Sequence, residues 1–359
     1  MKGAVVQPSQ DDDNRIPLYS TRLGCIAPEQ FQAALNRFGL GRFVRATPVR
    51  GGNFGQVLFL ASSEGEWVLR GSPLLPGQFQ EERFFVRALH KQSTVPVPWP
   101  YLLDEDPAIF GWSYVIMPRL PGIDLDDPSV GAQLTGNDRR QIVGALGTTL
   151  ADMQAATWPV PGRYDPAIDE IDPFPSHVAD WQIAQVRDLL EKASAQTPEL
   201  TTDADRDWVE GVIAQAEDAV HQPYRPCLVM ADYKDQNVVA QRRDAGVGWR
   251  VSGVFDFMGS YVGDGEAALA RQIAIECERT PGNADAFVHA YHHRAGRAPR
   301  PGFRMRLGFA MLAERLPIWE WAQREGLVWW QPDITLRGWI APFVHMARAV
   351  GERWDEARE

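Results

Sequence analysis

The chain has little cysteine, no long apolar run and, over most of its length, too little positive charge. Its three cysteines, Cys25, Cys227 and Cys277, stand far apart with no C-x-x-C and no metal-ligand spacing. That argues against catalytic or metal-binding thiols and suits a reducing, cytoplasmic setting. No apolar stretch approaches the ~20 residues a membrane span needs. The start "MKGAVVQPSQ" has no apolar h-region of a secretory signal. Neither a membrane partner nor export is expected. The net charge is −11, and it is unevenly placed: residues 1–120 hold 12 Lys and Arg against 11 Asp and Glu, the remainder 24 against 36. An acidic two-thirds argues against a nucleic-acid surface, which needs the opposite sign. It suits a small cationic partner bound by the later part, or simply a solvated acidic surface.

What is present is a chain of 359 residues with 45% hydrophobic and 23% charged residues, the composition of a globular protein with more length than one core usually serves. Two lobes are expected. Residues 1–16 read as a polar, acidic tail. Residues 17–119 read as a small β-rich lobe with one helix: the β-rich runs Val57–Ala61 and Trp67–Arg70 join through "SSEGE", and "GQFQEERFFVRALHKQ" has helical apolar spacing. "VPVPWP" is extended because proline excludes helix, and "WSYVIMPRLPG" is a buried strand running into a connector. Residues 120–359 read as a larger, mainly helical lobe. Helices are expected after Gly136, over about 178–196 and 203–221, and from about 265 onward. A Pro- and Asp-rich loop is expected over 156–175, with short strands at "CLVMA", "NVVAQ" and "WRVSGVFDF". The fold class is α+β.

Polar groups in apolar surroundings mark the candidate chemistry, and each has a plain alternative. "RGGNFGQ", with Gly51, Gly52 and Gly55, is a hairpin turn or a phosphate cover. Arg70 ends a strand and Glu82 lies on the next helix. "VMADYKDQNVV" sets Asp232, Lys234 and Asn237 between two strands, as turn residues or as a reactive loop. Asp256 in "VFDF" is a charge in an apolar strand, which is costly unless it meets a partner or a metal. Phosphoryl transfer from ATP needs groups of these types: glycine-loop amides over the phosphates, a cation oriented by a helical Glu, a carboxylate for the hydroxyl proton, and Asn and Asp for Mg²⁺.

In order and spacing these residues resemble the aminoglycoside phosphotransferase and choline kinase branch of the protein-kinase-like fold, over roughly residues 40–345. "VMADYKDQNVV" followed by "GVFDFMGSYVGD" is similar to that family's H-G-D-x-x-x-x-N and I-D-F stretches, with the hygromycin-type enzymes nearest in these motifs. The resemblance implies a bilobal kinase-like fold and an active enzyme using ATP, with GTP left open, and Mg²⁺. Asp232 would be the catalytic base and Lys234 would lie near the γ-phosphate. Asn237 and Asp256 would hold magnesium. Arg70 would pair with the α- and β-phosphates, oriented by Glu82, under Gly51, Gly52 and Gly55. Met117 and Arg119 lie in the connector that would take the adenine. Asp264 would brace the catalytic loop.

This sequence departs from the family pattern in four places. Met230 and Ala231 replace His and Gly, Arg70 replaces Lys, and "GGNFG" is not G-x-G-x-x-G. The implied acceptor is a small hydroxyl compound, cationic or sugar-like, with antibiotic resistance as one setting. Trp319, Trp321, Trp329 and Trp330 near Glu320, Glu325 and Asp333 would suit a cationic sugar, or would serve as packing. Glu276 and Glu278 are further acidic candidates, only one of which can face a cleft. Kinases of choline, homoserine or sugar amines stay open, as do a protein or lipid kinase and a non-catalytic nucleotide-binding member. The sequence does not speak to oligomeric state.

Overall fold

The short antiparallel pairing of β1 (Ile16–Pro17) with β2 (Cys25–Ile26) leads into α1 (Pro28–Phe38), whose limits are set by its own residues. Pro28 fits the first turn, where an amide would lack a helical partner, and the Gln30 side chain accepts the Ala27 N–H at 3.0 Å. Gly39, at φ 67°, ends the helix in the left-handed conformation that side chains disfavour. The computed structural model describes residues 16–17, 25–49, 56–73, 75–125, 127–243 and 248–356. The chain divides into two compact units, residues 1–87 with 98–120 and residues 88–97 with 121–359.

After α1 the first unit contains β3 (Phe43–Pro48), β4 (Gln56–Ser62), β5 (Gly65–Gly71), α2 (Gln78–Gln92), β6 (Leu102–Asp104) and β7 (Tyr114–Pro118). The division between units falls within α2, after Arg87. These strands form one antiparallel sheet in the order β3-β4-β5-β7-β6. Alternation along each strand sorts the side chains. Leu58, Leu60, Leu69 and Ile116 share an apolar core with Phe31, Ala34 and Leu35 of α1. Arg70, next to Leu69, is therefore directed to the opposite face, and there it meets α2.

The second unit contains β8 (Ile123–Asp124), α3 (Pro128–Gly131), α4 (Gly136–Met153), β9 (Gly162–Asp165), β10 (Glu170–Pro173), α5 (Val178–Gln196), α6 (Asp203–Val220), β11 (Cys227–Val229), β12 (Val238–Arg242), β13 (Trp249–Val254), β14 (Tyr261–Gly263), α7 (Leu269–Arg279), α8 (Gly282–Ala295), α9 (Phe303–Glu325) and α10 (Leu336–Glu356). Its strands form two small sheets, β10-β9-β14-β11 and β13-β12-β8. The α+β class is as the sequence indicates. The expected loop over 156–175 holds a hairpin instead, β9 against β10, with Asp165 opposite Glu170. Its prolines masked it: Pro173 closes an edge strand, where a missing N–H costs no ladder bond. Among the described residues no helix is long and apolar enough to cross a membrane.

Asp138 ties the start of α4 to the β12–β13 hairpin. It closes a capping box with Thr135 and accepts from Trp249 Nε1 at 2.9 Å and Arg242 at 3.0 Å. The Trp249 hydrogen bond, followed by those from Thr135, lowers its pKa from 3.8 to about 2. A depressed carboxylate contributes stability that is complete above the unfolded pKa and is lost as pH falls through the folded one. The melting temperature should therefore drop more steeply in the wild type than in Asp138→Asn between about pH 4 and pH 2. Equal slopes in thermal melts would show that these bonds do not favour the charged form. Further along α4, Gly147 lets α8 approach: a Cβ there would lie 2.3 Å from Phe287 O, whereas one at Gly144 would meet nothing within 4 Å. Gly147→Ala should cost about 1–3 kcal/mol in urea unfolding. Gly144→Ala should be neutral or stabilising by up to ~1 kcal/mol.

Candidate active site

In the first unit, β5 presents Arg70 to α2, where its Nη1 donates to Glu82 Oε2 at 2.5 Å. Both side chains are buried. Glu82 also accepts from Tyr101 Oη at 3.2 Å and from Gln78 Nε2 at 3.3 Å, and the Arg70 guanidinium lies 5.8 Å from the Phe79 ring. Two buried charges are tolerable only with such partners. Met117 is buried in β7 opposite Val68, and Arg119 follows the strand. The Arg119 N–H is already given to Glu66 O at 3.1 Å, and its guanidinium rests 3.8 Å from the Phe59 ring. Gly51, Gly52 and Gly55 lie outside the described residues.

In the second unit, β11 ends at Val229 and the chain turns before β12 through a short 3₁₀ segment, Asp235–Asn237. Asp232 is the focus of this turn. Its Oδ2 takes Lys234 Nζ at 2.8 Å and Asn237 Nδ2 at 2.9 Å, and the same Nδ2 reaches the Asp232 carbonyl at 2.9 Å. Its Oδ1 lies 2.8 Å from Arg271 Nε, an ion pair off the line of an ideal hydrogen bond. The Asp232 side chain keeps 34% exposure and Lys234 14%. With its amide nitrogen committed, Asn237 Oδ1 makes no hydrogen bond among the described residues. The Phe255 N–H donates to Asn237 O at 3.1 Å, which joins the turn to the segment carrying Asp256. Asp256 has φ 65°, in the left-handed region that few non-glycine residues occupy. Such backbone persists only where its surroundings impose it, and it clusters at functional sites.

The turn is anchored from several sides. Tyr233, fully buried, donates to Leu146 O of α4 at 2.8 Å. The Asp235 N–H goes to Gln272 Oε1 of α7 at 2.8 Å, and Arg279 pairs with the Asp235 carboxylate. Met230, in the place of the family's His, is fully buried in the core. Arg271 also pairs with Glu314 of α9 at 2.6 Å, and Arg315 closes on the same carboxylate. Burial works against the Arg271 charge, but Glu314 and then Asp232 outweigh it and raise its pKa. Asp264, expected to brace the loop, instead accepts the Glu266 amide and pairs with Arg300, securing the turn into α7. Burial, then the neighbouring Glu266, raises its pKa against the pull of Arg300.

The structure thus gathers Asp232, Lys234 and Asn237 at one place and pairs Arg70 with Glu82. Sequence reasoning missed Arg271, Tyr233 and Gln272. A lone arginine on a helix ordinarily reads as a solvated face, and no spacing rule marks it. Two of the tryptophans are packed: Trp319 is fully buried and stacks on Trp330 at 5.2 Å, which lies 4.1 Å from Trp339. Glu320 is buried against Gln196 and Arg324, and Glu276 against Gln272. Trp329 alone of the stacked tryptophans is widely exposed, at 59%. A groove of about 490 Å³ between α5 and α6 shares no residue with the candidate site, whereas a smaller cavity of about 40 Å³ is lined by Asp235, Glu276 and Arg279 beside the turn. Burial pushes Cys227 and Cys277 up to about 12, which leaves neither a ready nucleophile.

Residues 45–303 match the model of a family described as the phosphotransferase enzyme family. No curated protein matches the sequence. Among solved structures the chain is similar to a provisionally named aminoglycoside phosphotransferase of Ralstonia eutropha JMP134, at 18% identity over 90% of this chain and 98% of that one, with TM-score 0.62. It is also similar to a thermostable mutant of aminoglycoside phosphotransferase APH(4)-Ia in ternary complex with ADP and hygromycin B, at 17% identity over 90% and 97%, TM-score 0.57. A third is the GDP complex of wild-type aminoglycoside 2′-phosphotransferase-IIIa, at 13% identity over 89% and 96%, TM-score 0.54. These likenesses show a shared protein-kinase-like fold.

The Arg70–Glu82 pair yields a direct test. Glu82→Leu removes the carboxylate from a buried guanidinium and should cost about 3–5 kcal/mol in denaturant unfolding. Adding Arg70→Met should restore much of that loss. Additive losses would show that the two charges do not depend on each other.

Proposed function

The chain belongs to the phosphotransferase enzyme family, and from that membership we propose that it transfers the γ-phosphate of ATP to a hydroxyl of a small acceptor, with cationic, sugar-like compounds such as aminoglycosides first among the candidates. The observation that carries the reading is the turn at 232–237. A carboxylate with a third of its side chain exposed is held there by a lysine and an asparagine, and the asparagine's Oδ1 makes no hydrogen bond among the described residues. A plain surface turn needs no such convergence, whereas phosphoryl transfer uses each of these groups.

In this reading Asp232 accepts or orients the acceptor's hydroxyl proton as the oxygen forms its bond to the γ-phosphorus. The bond from that phosphorus to the bridging oxygen breaks, and the nucleoside diphosphate leaves. Lys234, within 2.8 Å of Asp232, supplies positive charge where the phosphoryl group carries negative charge. Arg70, fixed by Glu82, pairs with the remaining phosphates; its planar fork suits two oxygens at once. The Arg119 carbonyl and the β7 end at Met117 serve the base. Asn237 Oδ1 and the Asp256 carboxylate are hard oxygen donors of the kind Mg²⁺ takes together with substrate phosphates. When bound, that ion neutralises phosphate charge. The acidic excess of residues 121–359, 36 against 24, favours a cationic acceptor by long-range attraction.

Mg²⁺-dependent ATP consumption by the purified protein, measured against aminoglycosides, hygromycin-like compounds, choline and small hydroxy-amines, tests the class and finds the acceptor. GTP in parallel decides the nucleotide. Asp232→Asn should lower kcat by ~10²–10⁴ while nucleotide affinity stays nearly unchanged. Full activity in that variant would remove Asp232 from its role. A protein that binds no nucleotide would overturn the reading.

A further inference from the structure

We propose that Arg271 is a positioning residue for Asp232, and that phosphotransfer depends on its guanidinium through that carboxylate; the inference rests on the phosphotransferase reading of the same site. Asp232 stands at the tip of a turn with a third of its side chain exposed, so nothing in the turn alone fixes the plane of its carboxylate. Lys234 and Asn237 both approach Oδ2. Oδ1 is met from outside the turn, by Arg271 Nε at 2.8 Å. A carboxylate held at one oxygen can still swing about it. Held at both, it presents a defined lone pair to an incoming hydroxyl. Because the Arg271 contact is off-axis, it constrains Oδ1 without consuming it as an aligned hydrogen bond would.

The helix that carries Arg271 is built for this. Leu269, Ala270, Ile273, Ala274 and Cys277 bury one side of α7, and Arg271 and Gln272 reach the turn at two points, Asp232 and the Asp235 amide. Arg271 is itself held by Glu314 at 2.6 Å. Glu314 is gripped by Arg315, which is buried and lies 4.8 Å from the Phe343 ring and 5.8 Å from that of Trp339. The order of the α9–α10 aromatic core thus reaches the base through Arg315, Glu314 and Arg271. An arginine serving only the packing of α7 on α9 would need Glu314 alone. Its second contact, to the carboxylate of the candidate base, is the one that packing does not explain.

The test is a double-mutant cycle on turnover, with Arg271→Ala, Arg271→Lys, Asp232→Asn and the double variant. Arg271→Ala should lower kcat by about 10²-fold, the usual cost of a slightly misplaced reacting group, with nucleotide KM unchanged. Arg271→Lys should recover part of it. In the Asp232→Asn background Arg271→Ala should change kcat by no more than about threefold, because the group it acts through is gone. An equal loss in both backgrounds would overturn the proposal. Crystal structures supply a readout that needs no activity: Asp232 should change rotamer in Arg271→Ala and keep its place in Arg271→Lys. Should Arg271→Ala not fold, Arg271→Gln replaces it in both measurements. An unmoved Asp232 would sink the proposal even if the acceptor were never found. A wild type inactive on every acceptor, with Asp232 shifted in the variant, would strike the proposed function and leave the positioning role standing.

Discussion

Asp232 is a carboxylate in a turn whose two oxygens are met from different elements of the surrounding unit. Three cationic or amide donors converge on its two oxygens, two from the turn and one from α7. Each donor is in turn fixed by something larger. The turn is pinned to α4 by the buried Tyr233 hydroxyl and to α7 by Gln272. Arg271 is pinned to α9 by Glu314. Under the proposed function, loss of this convergence would leave the carboxylate with no fixed direction toward an acceptor hydroxyl. Catalysis of this kind draws on positioning and fixed charge, not on covalent chemistry by the protein.

The first unit solves a parallel problem for a cation. Arg70 comes from the strand face opposite the apolar core and would be costly there alone. Glu82, Tyr101 and Gln78 make its burial tolerable and fix its direction. Arginine in place of lysine alters what is fixed. A lysine offers a point charge that follows its partner, whereas a guanidinium sets several N–H groups in one rigid plane. The direction of the Arg70 guanidinium is therefore tied through Glu82 to the pose of α2.

Legibility from sequence followed the locality of the signal. β4, β5, α2, β7, α4 and the strands around Asp232 were readable because alternation, helical spacing and proline act within a few residues. The turn at 232–237 was readable through its residue types and its order relative to Asp256. The β9–β10 hairpin was not, since its prolines imitate a loop and its pairing with β14 is decided from far along the chain. Asp264 was assigned to the wrong element for a similar reason: its partner, Arg300, is remote in sequence. Arg271 was invisible because an ion pair between a helix and a distant turn leaves no periodic trace. The tryptophans admitted two readings, packing or a sugar surface. Aromatic and acidic residues close in sequence suggest a sugar surface, yet Trp319, Trp330 and Trp339 stack on one another and Glu320 is turned inward.

That packing bears on the acceptor. Among the described residues, the Asp232 and Glu314 carboxylates pair with Lys234, Arg271 and Arg315, and Asp235 in the same turn pairs with Arg279. The carboxylates of this cluster are therefore matched by cations, and the acidic excess of the second unit is not explained by it. It acts over distance, where it raises the encounter rate of a cation and is screened by salt. A cationic acceptor would have to bring its hydroxyl, not its charge, to Asp232, with its amino groups held away from Arg271. Molecules with hydroxyl and ammonium groups well separated on a rigid frame meet that requirement more easily than compact amino alcohols. Under the proposed function, the separation of hydroxyl and ammonium groups is therefore the feature to vary among trial acceptors.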